Sequence, residues 1–181
     1  IASKADEASD TVLALDIGTN TEISLVHGGV IHTCSCASGP TFEGAHIHEG
    51  MRASDGAIER IDIEGEKVLV QVIGNQKPIG ICGSGILDAV AEMRKNDIIN
   101  ERGNFNPACS RVRGDGKERE FVLVQQEHSG SNRDIVITRK DINEILLAKA
   151  AIQTGIEILL RTAGITSPEE VDRILIAGAF G

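Results

Sequence analysis

Tryptophan and tyrosine are absent from this sequence, and four phenylalanines are its whole aromatic complement besides histidine. Proteins that grip nucleic acid stack bases on aromatic rings and draw phosphates to a Lys/Arg surface. With so few rings and a formal net charge of −9, the chain offers neither, so no nucleic-acid partner is expected. Long apolar runs are missing too. None approaches the roughly 18 uncharged residues of a membrane helix, and the opening IASKADEASD has no signal-peptide pattern. The expectation is a cytoplasmic protein that makes no use of a membrane.

Cysteine is sparse: Cys34, Cys36, Cys82 and Cys109. Their spacings match no zinc or iron–sulfur run, and CSC is tighter than the usual C-x₂-C bite. Free, partly buried thiols in a reducing compartment are expected instead.

What remains suffices for a core. The chain has 181 residues, 41% of them hydrophobic, with a mean hydropathy of −0.04. That is one globular domain of ordinary size, spanning 1–181. It opens without Met and stops just after an apolar run, as expected of a piece cut from a longer polypeptide.

The hydrophobic pattern gives the order of elements. TVLALDIG is almost wholly apolar and reads as a strand buried on both faces. EISLVHGG alternates as a second strand, with Gly28-Gly29 a hairpin signal, and VIHTCSCASG gives a third. Three antiparallel strands therefore open the chain. TFEGAHIHEGM reads as a short helix broken by turns, and residues 57–74 as a hairpin around Glu64-Gly65-Glu66.

From GICGSG onward the period changes. Ile86, Leu87, Val90, Ala91 and Met93 form a helical stripe. Residues 100–134 are polar apart from FVLVQQ and are expected to be an excursion or inserted subdomain. Thr138-x-x-Asp141 resembles a capping box for a long helix. Ile142, Ile145, Ala148, Ile152, Ile156, Leu159 and Ala163 line one face of that helix, and Gly164 sits at C′. Ser167 with Pro168 and Glu170 starts a further short helix, and RILIAGAFG ends the chain as a buried strand. The fold class is α/β, a mixed sheet with helices packed on it.

Three stretches carry chemistry. In DIGTNTE, Asp16 ends a strand, Gly18 permits a close turn, and Thr19, Asn20 and Thr21 supply donors ahead of Glu22. Such a turn can wrap the oxygens of a phosphate. Asp16, the candidate catalytic carboxylate, repels phosphate directly. It can instead hold the water shell of a Mg²⁺ that carries the phosphate. The competing reading is a solvated hairpin with an Asx-type cap.

Gly83-Ser84-Gly85 opens a helix whose N–H groups favour an anion; the competing reading is a tight turn with Ser84 as N-cap. It lacks a Walker lysine and a Rossmann G-x-G-x-x-G. Gly178, Ala179, Phe180 and Gly181 form a small-residue turn where a flat ring can approach the backbone, with Phe180 as a wall. His46 and His48 with Glu49 make an H-x-H pair on a Gly-rich turn that holds a metal poorly. Solvated or capping histidines are the preferred reading there.

DIGTNTE near one end and ILIAGAFG at the other resemble half of an ASKHA (actin, heat-shock ATPase, sugar kinase; ribonuclease H-like) nucleotide domain. Six stretches together are more specific: LDIGTNTEISL, ASGPTFEGAHI, GMRASDGAIERI, GICGSGILDAVAEM, RDIVITRKDINEILLAKAAIQTGIEILL and ILIAGAFG. They resemble the C-terminal domain of reductive activators of corrinoid proteins, iron–sulfur ATPases that return cobalt(II) corrinoid to cobalt(I) in anaerobic methyl transfer.

The resemblance implies that 16–22 is the second phosphate turn and that 178–181 begins the adenosine turn. ATP with Mg²⁺ would be the cofactor and a corrinoid protein the partner, with a homodimer open and any iron–sulfur cluster outside this fragment. Alternatives are an ASKHA-like docking or dimerisation module without hydrolysis, or a small-molecule kinase. Thr21 departs from the glycine more usual in such a turn.

Overall fold

The computed structural model describes residues 10–178. Their backbone contacts divide into two compact units, residues 10–39 with 147–178, and residues 40–146.

The first unit is built on a four-stranded sheet in the order β10-β1-β2-β3. β1 (Val12–Ile17), β2 (Asn20–His27) and β3 (Val30–Ala37) form the antiparallel meander. β10 (Arg173–Gly178) returns from the far end of the chain to lie parallel to β1. Leu13, Leu15, Ile23 and Leu25 point to one face. There they meet Leu159, Leu160 and Ile165, with Ile152, Ile156 and Ala163 packed around them. The helical partners come from α2 (Arg139–Thr162), whose second half belongs to this unit. One glycine sets the approach: a Cβ on Gly155 would run into Cys36 Sγ and stand 2.9 Å from Ile23 Cδ1.

α2 ends as its sequence dictates. Gly164 takes φ +77°, its N–H reaches Arg161 O at 3.1 Å, and the Ile165 N–H reaches Leu160 O at 2.9 Å. These two bonds make a Schellman motif, with the usual apolar contact between Ile165 and Leu160. Beyond it, the proline turn at 168–170 is a single 3₁₀ turn; Glu170 Oε1 accepts from the Ser167 N–H at 3.0 Å.

β10 departs from the sequence expectation of a buried strand. Ile174 is 62% exposed and Ile176 52%. The strand is as apolar as β1, but it lies at the sheet edge with only β1 beside it. Position in the sheet decides burial here.

In the second unit, β4 (Ala57–Glu64) and β5 (Lys67–Val72) form the expected hairpin, and the short β6 (Gly80–Ile81) adds parallel to β4. α1 (Gly83–Lys95) follows directly. Its buried positions are Gly83, Gly85, Ile86, Ala89 and Met93, so the stripe is rotated from the sequence reading: Ala89 is inside and Ala91 exposed. Two causes are visible. Gly85 lies so close to β4 that a Cβ there would run into Ile58 O. On the same side of α1, Asp88 accepts from the Ile61 N–H at 3.3 Å and Glu92 from the Ile63 N–H at 3.2 Å. These carboxylates satisfy β4 N–H groups that β6 is too short to reach.

The segment 100–134 holds β7 (Val112–Arg113) and β8 (Glu120–Val124), which pair with β9 (Ile135–Thr138) in a three-stranded sheet. β9 went unseen as a strand in the sequence because its Ile135-Val136-Ile137 run is apolar without alternation and abuts the helix without a turn residue. The cap of α2 follows at once. Asp141 N–H reaches Thr138 Oγ1 at 3.2 Å and Thr138 N–H reaches Asp141 Oδ2 at 2.8 Å. Asp141 Oδ1 also accepts from the His48 N–H at 2.8 Å. No helix among the described residues is long and apolar enough to cross a membrane.

Candidate functional site

The turn between β1 and β2 is made of Gly18 and Thr19. Asp16, near the end of β1, is exposed and stands opposite Glu22 in the antiparallel register and beside Ala177 in the parallel one. The next parallel pair joins Ile17 to Gly178. Gly178 has φ +80°, and a Cβ on it would run into the Asp16 carboxylate. Two stretches far apart in the chain, 16–22 and the start of 178–181, therefore meet at one end of one sheet. Ala179, Phe180 and Gly181 lie outside the described residues.

The turn is held from beneath. Thr21 is fully buried and its Oγ1 lies 2.7 Å from Ser38 Oγ. Ser38, itself buried, donates to Gly18 O at 2.9 Å. A hydroxyl has one hydrogen to give, so Thr21 is the donor to Ser38. The Gly39 N–H adds a bond to Thr19 O at 2.9 Å. Thr21 thus spends its hydroxyl inside the protein, whereas Thr19 and Asn20 are exposed at the tip. Glu22 Oε1 accepts from Ser35 Oγ at 2.9 Å. Ser38 is a residue that sequence reasoning missed. It lies 17 positions from Thr21, and nothing local marks it.

Chemically, the end of this sheet offers an exposed carboxylate, an acidic neighbour across the ladder, a tight polar turn and a glycine that leaves room beside them. Asp16 and Glu22 are hard oxygen donors. They suit a Mg²⁺ held through water better than a softer metal. Among the described residues there is no group of three or more His, Cys, Asp or Glu placed to grip an ion directly.

Gly83, Ser84 and Gly85 belong to the second unit. The N-cap of α1 is Cys82, not Ser84. The Cys82 N–H reaches Ile58 O at 3.1 Å, and Cys82 Sγ lies 3.3 Å from Ser84 Oγ. The missing side chain of Gly85 is accounted for by its approach to β4. Ser84 alone of the three is exposed. His46 takes φ 65° in a turn. Glu49 is buried and pairs with Arg133 at 2.7 Å, with His48 Nε2 at 3.7 Å. Glu49 and Arg133 form a structural ion pair.

The second unit also has a concavity of about 700 Å³, lined by Arg94, Asp97, Asn100 and Arg102 among others. It gathers no chemistry-bearing cluster. The candidate site is the end of the first unit's sheet, where Asp16, the turn at Gly18 and Thr19, and Gly178 come together.

A mixed sheet ordered β10-β1-β2-β3, with a polar turn after its first strand and Gly178 ending its last, is that of an ASKHA-type half. The chain belongs to the family described as the C-terminal domain of RACo, the ASKHA domain, which it matches over residues 10–181. It is 40% identical over 178 residues to the corrinoid activation enzyme RamQ of Eubacterium limosum, covering 93% of this chain and 30% of that protein. It is 28% identical over 191 residues to the [Co(II) methylated amine-specific corrinoid protein] reductase of Methanosarcina barkeri, covering 93% of this chain and 32% of that one. Among solved structures it is similar to a reductive activator for corrinoid, iron-sulfur protein. That likeness has a TM-score of 0.86 and 41% identity over 97% of this chain and 28% of the other. The chain spans about a third of the length of the curated relatives it matches.

Proposed function

We propose that this chain forms one wall of the ATP cleft in a reductive activator that returns cobalt(II) corrinoid protein to cobalt(I). The supporting observation is the meeting of Asp16 with Gly178 beneath a Ser38-braced turn, in a member of the RACo C-terminal family. In this reading, the backbone N–H groups and the polar tip at Gly18, Thr19 and Asn20 receive the phosphate oxygens, which accept several short hydrogen bonds at once. Thr21 and Ser38 hold the turn in shape. Asp16, with Glu22 behind it, orients waters around the Mg²⁺ that accompanies ATP. When bound, that ion neutralises charge on the phosphates. Gly178 and the residues after it face the adenosine.

An activator needs ATP because a one-electron step uphill by 59 mV costs about 1.4 kcal/mol, so a wide gap exceeds what docking alone supplies. A ligand drives such a step only through different affinity for two conformations. Nucleotide closing this wall on an opposing one is such a pair of states. The proposed partner is a corrinoid protein, in the cytoplasm, with any iron–sulfur cluster outside these 181 residues.

The test is spectroscopic. The full-length protein, reduced anaerobically, is mixed with a cobalt(II) corrinoid protein with and without Mg-ATP. ATP-dependent loss of the cobalt(II) band is expected, and Asp16→Ala should abolish the dependence on ATP while leaving the fold intact. Bound ATP with no change in the cobalt(II) band across several corrinoid proteins would sink the reading.

A further inference from the structure

Cys34 and Cys36 alternate with Ser35 along β3, and the two-residue period of a strand puts both sulfurs on one face. That face packs on α2: both cysteines are half-buried against the core of the first unit. Gly155 fixes the geometry. A Cβ there would run into Cys36 Sγ and stand 3.2 Å from Cys34 Sγ, so the two sulfurs flank a single point on the helix. Cys34 Sγ also lies 3.7 Å from Gly155 O. Ser35 turns the other way, to Glu22.

Alternate residues on a strand have Cα atoms about 6.6 Å apart, at the upper end of the 4.4–6.8 Å range that disulfides span. Bonding these sulfurs therefore requires β3 to shorten locally. As an edge strand paired only with β2, β3 is free to bend at Ser35. A bond made this way is strained, and strained disulfides are the reducible, regulatory ones.

We propose that Cys34 and Cys36 are a redox-labile dithiol, a modification site that a small-molecule disulfide closes to an intrastrand disulfide and a reducing thiol reopens. Cys36 thiolate attacks one sulfur of the oxidant, breaking its S–S bond and releasing one thiol. Cys34 then attacks the Cys36 sulfur of the mixed disulfide, forming the protein S–S bond and releasing the second thiol. Two electrons and two protons pass to the oxidant, which is reduced to two thiols. The order fits the surroundings of Cys34: burial, the neighbouring Cys36 and the Glu22 carboxylate push its thiol up, making it the slower first nucleophile.

Closure has a reach beyond the pair. Cys36 is the ladder partner of Thr21, and Ser38, two residues on, holds both Thr21 and Gly18. Shortening β3 between 34 and 36 draws on the brace beneath the turn at 16–22. The dithiol stands independently of the nucleotide reading; only the importance of that brace rests on it.

The full-length chain is equilibrated in glutathione buffers of stepped oxidised-to-reduced ratio, acid-quenched, alkylated and mapped by mass spectrometry. The peptide carrying Cys34 and Cys36 is expected to lose both alkyl labels and two hydrogens, while Cys82 and Cys109 stay labelled. A dithiol reductant restores both labels, and amide exchange at Thr19 to Thr21 quickens in the oxidised form. Cys36→Ser should keep the Cys34 label at every ratio. Should that variant not fold, the wild-type map decides alone. Full alkylation of both residues at every ratio, or a glutathione adduct on one that never closes, overturns the site. Closure with unchanged exchange overturns its link to the turn.

Discussion

The two units are held together by different means. In the first, strand ladders and an apolar layer carry the structure, and both sheet edges are open: Val30 and Ile31 on β3 and Ile174 and Ile176 on β10 are exposed. In the second, side chains tie backbone groups together across long sequence distances. Asp88 and Glu92 cap β4 N–H groups. Arg111 donates to Val122 O at 3.0 Å and to Glu66 O at 3.0 Å. Asp141 joins the start of α2 to His48. Hydrophobic pattern carries most of the first arrangement, whereas the second depends more on partners that no window of sequence contains. The exposed polar turn at 18–20 and the open edges lie in the first unit.

The contrast can be broken hardest at Gly85. Gly85→Ala sets a methyl against the backbone oxygen of Ile58, which has no side-chain freedom to yield. It should cost about 3 kcal/mol, at the upper end for overpacking, read as a fall in the denaturation midpoint. A neutral result would mean that α1 and β4 are not in the contact described. Next is Asp141→Ala, which strips acceptors from His48 N–H, Thr138 N–H and Thr138 Oγ1. Because the lost bonds were to a buried carboxylate, the expected cost is about 2–3 kcal/mol. A loss no greater than that of an exposed helix cap would show that the His48 link is idle.

Ser38→Ala tests a place where the first unit uses the second unit's device. Thr21 is left without its hydroxyl partner, at about 1–2 kcal/mol. Hydrogen exchange at Gly18 to Thr21 should accelerate, and Ser38→Thr, which keeps the hydroxyl, should restore much of it. Equal exchange in wild type and the alanine variant would remove Ser38 from the site. A smaller effect is expected for Gly164→Ala. The position has φ +77° and open space around it, so the penalty is the left-handed conformation alone, about 1 kcal/mol. If it matched Gly85→Ala, conformational and packing glycines would not be separable as argued.

The least of the five is the response to acid. Arg113 and the Gln126 N–H hold the Asp134 carboxyl below its usual range, and Lys95 with the Ile63 N–H does the same for Glu92. A carboxyl lowered in the folded state contributes stability that is present above its unfolded pKa, about 4. That contribution is lost as pH falls through the folded value. Both groups lie in the second unit, so its thermal transition should begin to fall below about pH 4, and Asp134→Asn should flatten that slope. A slope unchanged by the substitution would place the acid sensitivity elsewhere.

Much of this was legible before any coordinates. The opening meander, the hairpin within 57–74, the Thr138–Asp141 cap, the helical period of α2 and its Gly164 ending each show in patterns that repeat or close within a short stretch of chain. The turn at 16–22 was legible too, as a polar, glycine-bearing turn that a simple hairpin does not need. The sequence leaves Gly85 open between an anion-facing turn and a tight helix-opening one, and its place against Ile58 depends on a strand 27 residues earlier. The phase of α1 was misjudged by one position for the same reason, since Asp88 and Glu92 are drawn to β4.

The sequence by itself determined the opening strands, the first hairpin of the second unit, both helices and the end of α2, and that residues 16–22 make a tight polar turn, because periodicity, caps and glycines act over one or two turns of chain. Tertiary structure decided that β10 lies at an edge and not in a core, that Gly178 closes on Asp16, that Ser38 braces Thr21, and that two cysteines share a face with Gly155. Each of these is a meeting of distant residues. Backbone pairing and close packing select such meetings only once the whole sheet has formed.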